Sequence, residues 1–195
     1  MNHRKKTEDR VRVHPVTYEA YAEMPDDGQR YEIIDGVLEA MSPGPSVSHQ
    51  SVSREMEFVF MQSCRSDYLI FHAPLDVILS QTDVVQPDIL LIHRSRSSIV
   101  TERGIEGAPD LVVEIVSPGS RTRDKIKKMK TYAKYGVPEY WIVDSGSRTL
   151  ERYELRNLGS YELNDLFEES DTVASDKLPC VSFVLAEIFK DIQRL

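Results

Sequence analysis

Two acidic residues lie in or beside strongly apolar segments of the sequence. Glu114 is embedded in the run 111–116, and Asp88 follows Pro87 and precedes the apolar run 89–92. An ionised carboxylate in an apolar interior is costly unless a metal ion, a lysine or a shifted pKa compensates it. A strand-end glutamate that points to solvent and an ordinary Pro-Asp strand-entry turn are the alternative interpretations of these two positions.

Two carboxylates that meet at the ends of adjacent strands would form a site of hard oxygen ligands. Mg²⁺ suits such a site, with Mn²⁺ as a substitute, because it accepts one or two carboxylates and keeps waters that a substrate phosphate can displace. A nearby lysine can steady the attacking water or the charge that develops on phosphorus. The pattern therefore predicts metal-dependent phosphodiester hydrolysis, with Asp88 and Glu114 as the metal ligands.

The segments around these acids predict how they are positioned. The run 111–116 is typical of a central strand covered on both faces. A helix is expected from about 122 to 135, ended by Gly136, and a strand over 140–143 follows. A strand, a helix and a strand in this order predict two parallel neighbours. The fold class is therefore α/β or α+β around a mixed β-sheet.

The N-terminal half predicts helices and a hairpin. The expected elements are a helix over 17–24 capped by Thr17, a hairpin over 31–41 that turns at Asp35-Gly36, and a helix over 46–64 opened by Ser46. Glu32, the third acid of interest, lies on the first strand of this hairpin. Asp76 is expected near the site as a structural strand residue.

Length and composition limit the class of protein. A chain of 195 residues favours one domain, expected over 17–195, after a flexible arm over 1–16. The sequence has no apolar run near the roughly 20 residues of a membrane span and no apolar segment typical of a signal peptide. Cys64 and Cys180 lie in no metal-binding pattern, so we expect two unpaired, buried cysteines in a reducing cytoplasm, with a disulfide or zinc site as the alternative.

The charge is unevenly distributed. The net charge of −8 argues against a protein that coats nucleic acid without specificity. Seven basic residues and one acid nevertheless lie between Arg121 and Lys134. This segment is either a cationic patch for a phosphodiester backbone or an ordinary solvated helix face.

Several motifs, in this order and spacing, resemble a known family. They are Tyr31-Glu32-Ile33-Ile34-Asp35-Gly36, Ser42-Pro43, His49, Pro87-Asp88, the run 113–118, Asp124-x3-Lys128-x3-Tyr132 and the run 136–144. The sequence is similar over about 17–195 to the large bacterial family described as putative restriction endonucleases, within the PD-(D/E)XK nuclease superfamily. The stretch 109–144 is the most specific part.

The resemblance implies a restriction-endonuclease-like core, which is a mixed β-sheet flanked by helices. It implies a Mg²⁺-dependent endonuclease that acts on DNA, with Asp88 and Glu114 on the metal and Glu32 as an additional acid. That acid ordinarily lies on a helix, whereas here it lies on a predicted strand. The superfamily also implies a homodimer, because two active sites can cut two strands.

One position departs from the superfamily pattern. A lysine is expected two residues after the second acid, and this chain has Val116 there. In the family the following helix is thought to supply the lysine, which points to Lys128, with Lys125 and Lys127 as the other candidates. Helical spacing allows Asp124, Lys128 and Tyr132 to act together, but it also allows a plain exposed stripe.

The remaining candidates concern substrate binding. The expected substrate contacts are His49, Arg121, Arg123, Lys125 and Tyr132. A simple hydrogen-bonded histidine is the alternative for His49. The rival hypothesis for the whole protein is a non-catalytic module on the same fold that binds nucleic acid or protein. Its motivation is the net negative charge and Val116, and its expected mark is that Asp88 and Glu114 are paired with lysine or arginine.

Overall fold

The fold is α+β, with two large mixed sheets and few helices. The computed structural model describes residues 14–41, 44–116, 127–156 and 159–192. Within these residues the helices are α1 (Tyr18–Ala22), α2 (Val47–Ser63), α3 (Met129–Lys134) and α4 (Ala186–Phe189), with a 3₁₀ helix over Arg94–Ile99. No helix in this part of the chain is long and apolar enough to cross a membrane.

The first large sheet, here called the hairpin sheet, has six strands. Their spatial order is β2 (Val37–Ala40), β1 (Tyr31–Ile34), β5 (Asp83–Val85), β4 (Val77–Ser80), β8 (Gly104–Ile105) and β7 (Val100–Thr101). The turn between β1 and β2 has positive φ at Asp35 (50°) and Gly36 (74°), as a two-residue hairpin loop of this kind requires. The predicted hairpin is therefore confirmed, and Glu32 lies on a strand.

The second large sheet, here called the central sheet, also has six strands. Their spatial order is β12 (Tyr161–Phe167), β11 (Thr149–Leu155), β10 (Glu139–Asp144), β9 (Leu111–Val116), β6 (Ile89–His93) and β3 (Tyr68–His72). All six residues of β9 are buried, and β9 runs parallel to β10. The predicted central strand and its parallel neighbour are thus confirmed. A small third sheet pairs β13 (Thr172–Ala174) with β14 (Ser182–Val184).

Apolar clusters cover both faces of the central sheet. One cluster joins α2, α4 and the strands, with Phe60 and Trp141 in ring contact. The other includes Tyr132 and Val112 and joins the central sheet to the hairpin sheet and α3. The predicted N-cap of α2 is confirmed, because Ser46 Oγ accepts a hydrogen bond from the His49 N–H at 3.2 Å. The helix that carries His49 is therefore fixed against the central sheet.

Some predicted elements differ in extent from the structure. Residues 122–126 of the helix expected over 122–135 lie outside the described residues. Lys127 and Lys128 are π-helical and lead into α3, which ends before Gly136 (φ 79°). The sequence also predicts strands over 69–71, 75–79, 89–92 and 149–155, where β3, β4, β6 and β11 lie, and a C-terminal helix over 185–192. That helix, α4, is shorter than expected, and no sequence pattern predicts β5, β7, β8 or β12–β14. The very short strands lack enough residues to show a clear period-2 pattern.

The prediction of unpaired cysteines is wrong. Cys64, at the C-terminal end of α2, forms a disulfide with Cys180, and their Cα atoms are 5.1 Å apart. Cys64 is buried in the apolar cluster that joins α2 to the C-terminal segment, and the partly buried Cys180 packs against that cluster. Packing brings them together across a separation of 116 residues, which no local sequence pattern indicates.

The N-terminal end of the expected domain is attached to the hairpin sheet. The Val16 N–H donates a hydrogen bond to the Gly36 carbonyl at 2.9 Å. A Cβ at Gly36 would lie 2.4 Å from Pro15 Cβ, so this close approach requires glycine. Residues 1–13 of the expected arm lie outside the described residues.

Candidate functional site

The two acids singled out by the sequence lie at one end of the central sheet. Strands β6 and β9 are antiparallel, with Ile89 opposite Val113. One residue further in this register, Asp88 lies opposite Glu114. The Ile115 N–H donates a hydrogen bond to Asp88 Oδ2 at 2.7 Å, which fixes the orientation of the carboxylate. The predicted meeting of two carboxylates from neighbouring strands is therefore present in the fold.

Lys128 joins the two large sheets. Its Nζ lies 2.9 Å from Glu114 Oε1 on β9 and 2.9 Å from Glu32 Oε1 on β1. All three side chains are at most 5% exposed. The chain therefore brings a lysine to the second acid from the following helix, although position 116 is a valine. The interpretation of this helix stripe as plainly exposed is wrong for Lys128.

Tyr132 lies one helical turn after Lys128 and contacts the same carboxylate. Its hydroxyl donates a hydrogen bond to Glu114 Oε1 at 2.8 Å, and the residue is fully buried. Burial, and to a smaller extent the negative charge of Glu114, raises the pKa of the Tyr132 phenol well above its ordinary value. Tyr132 is therefore a neutral donor that orients Glu114. Asp124, the third member of the expected stripe, lies outside the described residues.

Gln86 is a further residue of the site that none of the sequence motifs includes. Its N–H donates a hydrogen bond to Glu32 Oε1 at 2.9 Å, and its side-chain amide donates to Asp76 Oδ1 at 2.8 Å. Burial raises the pKa of Asp76, the Gln86 hydrogen bond opposes this shift, and the charge of Glu32 adds to it. A signal was present, because Gln86 precedes Asp88 by two residues in an extended segment, where such residues share a face.

His49 contacts Asp88 from the first turn of α2. Its Nε2 lies 3.2 Å from Asp88 Oδ2, and the two side chains are 15% and 19% exposed. The Nδ1 atom of His49 is buried and has no hydrogen-bond partner in the described part of the chain. His49 thus lies beside the carboxylate that was predicted to bind the metal ion.

Most of the described lysines of the segment 121–134 form ion pairs with acids. Arg121, Arg123 and Lys125 lie outside the described residues. Lys127 pairs with Glu39 at 2.6 Å, and Lys134 pairs with Asp83 and Asp35 at 3.0 and 3.1 Å. These pairs attach the helix to the hairpin sheet. Lys130 is exposed and forms no ion pair with another described residue.

The chemistry of the donor set fits a small dication. Asp88 and Glu114 supply carboxylate oxygens from neighbouring strands, and Mg²⁺ needs no more than one or two carboxylates besides waters. Within the described ranges no cluster of three or more histidine, cysteine or acidic side chains could hold a metal. The acid–lysine pairing expected of a non-catalytic module is present at Glu114, whereas Asp88 pairs with His49.

Comparison with known proteins gives a family and a fold. The model of the Uma2 family, described as "Putative restriction endonuclease", matches residues 18–186. A crystal structure of a putative nuclease of DUF820 from Anabaena variabilis ATCC 29413 superposes with a TM-score of 0.73 at 21% identity, over 90% of this chain and 98% of that one. This similarity shows a shared fold.

A further solved structure is only weakly similar. The type IIG restriction endonuclease BpuSI gives a TM-score of 0.43 at 13% identity, over 77% of this chain and 16% of that one. This similarity is too low to support a conclusion. No curated protein matches the chain.

Proposed function

The chain belongs to the Uma2 family, and on that premise we propose that it is a Mg²⁺-dependent endonuclease that hydrolyses phosphodiester bonds in DNA. The observation that carries the proposal is the position of Lys128 Nζ, 2.9 Å from Glu114 Oε1, at the sheet end where Asp88 and Glu114 lie on neighbouring strands. A lysine and two carboxylates at one sheet end are the groups that metal-assisted phosphodiester hydrolysis needs.

Each residue of the site has a distinct role in this proposal. Asp88 and Glu114 hold the ion, which when bound would activate water and neutralise charge on the phosphate. Lys128 carries the positive charge that positions the attacking water and stabilises the developing negative charge on the phosphate.

Three neighbours orient these groups. Glu32 forms an ion pair with Lys128 and so holds its ammonium group in place. Tyr132 donates to Glu114, and the Ile115 N–H donates to Asp88. His49 lies against Asp88 on the less buried side of the site, where we place a contact with the substrate phosphate.

The substrate, assembly and location are part of the proposal. DNA is favoured by the restriction-endonuclease description of the family. We place Arg121, Arg123 and Lys125 on the DNA backbone, because the described lysines that follow them mostly pair with acids. A homodimer would bring two active sites to the two strands of the DNA. We place the protein in the cytoplasm, where bacterial DNA lies.

Calorimetric titration with Mn²⁺, with and without DNA, tests the metal site. The parent is compared with Asp88→Asn and Glu114→Gln, and Asp176→Asn serves as the control because Asp176 is exposed. We expect binding by the parent and the control and loss of binding in both site variants. Retained binding in either site variant would refute the ligand assignment.

Cleavage and mass complete the test. Plasmid DNA should be cut with Mg²⁺ or Mn²⁺, and chelation or either site substitution should abolish cutting. Light scattering should give twice the 22.3 kDa of one chain, and a particle of 22.3 kDa would contradict the dimer. An uncut plasmid, with DNA bound by the parent without metal, would favour the binding module. The pairing of Glu114 with Lys128 and the net charge of −8 are the observations behind that alternative.

A further inference from the structure

The short helix α3 must be held accurately for Lys128 to reach its partners. It has six residues, and Lys128 immediately precedes it. A helix of this length has little stability of its own, so contacts with the rest of the fold must fix its position. An attachment at its far end would therefore control where Lys128 lies.

Such an attachment is present at Asp83, a fully buried residue that begins β5. Asp83 Oδ2 lies 3.0 Å from Lys134 Nζ and accepts a hydrogen bond from the Tyr135 hydroxyl at 2.6 Å. Its other oxygen, Oδ1, accepts the Asp35 N–H at 2.8 Å. One buried carboxylate therefore binds the end of α3 and the turn of the hairpin at once.

The strand that bears Asp83 is directly connected to the site. Strand β5 pairs with β1, with Val84 opposite Ile33, and β1 carries Glu32. Glu32 in turn contacts Lys128 at the other end of the helix segment. The helix is thus attached to the same pair of strands at both ends.

We propose that Asp83 is a positioning residue whose ion pair with Lys134 holds α3 on the hairpin sheet and so keeps Lys128 between Glu32 and Glu114. Asp83 touches none of the groups assigned to the reaction and acts through the helix. The consequence for cleavage rests on the proposed function, whereas the consequence for the position of Lys128 does not.

Three variants and one control test this role. Asp83→Asn removes the charge at nearly constant volume, Lys134→Met removes the partner at a half-exposed position, and Asp83→Glu is the conservative variant. Glu55→Gln is the matched control, because it breaks another buried carboxylate–lysine pair, with Lys190 at 2.7 Å.

Amide hydrogen exchange over 127–135 is the readout that needs no activity. We expect exchange there to rise about tenfold or more in Asp83→Asn and Lys134→Met, with partial recovery in Asp83→Glu and no change in Glu55→Gln. Unchanged exchange in both Asp83→Asn and Lys134→Met would overturn the proposal. Lys134→Met keeps the test valid if Asp83→Asn does not fold.

A double-mutant cycle with Lys128→Met measures the coupling to the site. Asp83→Asn should lower kcat about tenfold in the parent with little change in KM, and should have little further effect once Lys128 is gone. Equal losses in both backgrounds would overturn the link to Lys128. If the parent cuts no DNA, the proposed function fails. The cycle is then measured on unfolding free energy, where purely additive effects would refute the coupling.

Discussion

Lys128 Nζ lies at the same distance, 2.9 Å, from Glu32 Oε1 in the hairpin sheet and from Glu114 Oε1 in the central sheet. One buried ammonium group therefore contacts two buried carboxylates that come from different sheets and compensates part of their combined negative charge. Because an uncompensated buried charge is far more costly than the pair it came from, this arrangement links the stability of the fold to the integrity of the site.

Loss of the Lys128 charge should destabilise the protein strongly. Lys128→Met leaves Glu32 and Glu114 facing each other without the ammonium group, and we expect a loss of about 3–5 kcal/mol of unfolding free energy at pH 7. Urea denaturation measures it. Lys130→Met, an exposed change in the same helix, should stay within about 0.5 kcal/mol. Equal effects of the two substitutions would contradict the buried ion pair.

The Tyr132 hydroxyl should contribute to the orientation of Glu114. Tyr132→Phe removes a buried hydrogen bond to a carboxylate, and we expect a cost of about 1.5–3 kcal/mol in chemical denaturation. Tyr31→Phe is the matched control, because its hydroxyl bonds Asp27 at 2.7 Å in an exposed setting. The control should change stability by less than about 0.5 kcal/mol. A similar cost for both would argue against a special role of the buried hydroxyl.

Gln86 should control the ionisation of Asp76. Its side-chain amide donates to Asp76, which opposes the rise in pKa that burial causes. Gln86→Leu removes this donor, so the pKa of Asp76 should rise further, as followed by carboxyl NMR titration. Gln81→Leu, at an exposed position, should leave the Asp76 titration unchanged. A fall in the Asp76 pKa in Gln86→Leu would show that the hydrogen bond is not formed.

Asp83 should make the protein sensitive to acid. Burial alone would raise the pKa of its carboxyl, but the hydrogen bonds from Asp35, Tyr135 and Lys134 outweigh burial, so the pKa is lowered. Its stabilising contribution is therefore present above the unfolded pKa of about 3.9 and is lost as the pH falls through the lower folded value.

Lys134 behaves in the opposite sense. Hydrogen bonds from Lys134 to Asp83 and then Asp35 raise the pKa of its amino group, so its contribution is present below about pH 10.4 and is lost as the pH rises through the folded value. Between about pH 4 and about pH 10, urea denaturation should give a constant gap in unfolding free energy between the parent and Asp83→Asn. The gap should shrink below about pH 4, and a gap that is the same at low and neutral pH would contradict this assignment.

Reduction of the disulfide should lower stability. Cys64 and Cys180 close a loop across a separation of 116 residues, and a loop of that length is worth roughly 4–5 kcal/mol in the chain-entropy treatment. A reductant should therefore lower the melting temperature of the parent. The double variant Cys64→Ala/Cys180→Ala should melt at one temperature with or without reductant. A parent that melts at the same temperature in both conditions would show that the bond is absent or without effect.

The local elements and the two acids could be predicted from the amino-acid sequence. Ser46 as a helix cap, the Asp35-Gly36 turn and the buried strand 111–116 follow from capping, positive φ and continuous apolarity, which act within a few residues. Asp88 and Glu114 were visible because a charge in an apolar run is costly wherever the chain folds. The motif spacing directed attention to Lys128 in the helix after β9, where it contacts Glu114, but helical spacing alone left Lys128 either buried or exposed.

How these parts meet could not be predicted from the sequence, because it depends on contacts between distant segments. The contact of Lys128 with Glu32 spans two sheets, the link from Gln86 to both Glu32 and Asp76 joins three segments, and Cys64 meets Cys180 across the domain. Such contacts depend on how the sheets pack, which is a sum of many weak apolar contacts between segments far apart in sequence. No local pattern specifies this packing, which brings the Lys128 ammonium group to the carboxylates of Glu32 and Glu114.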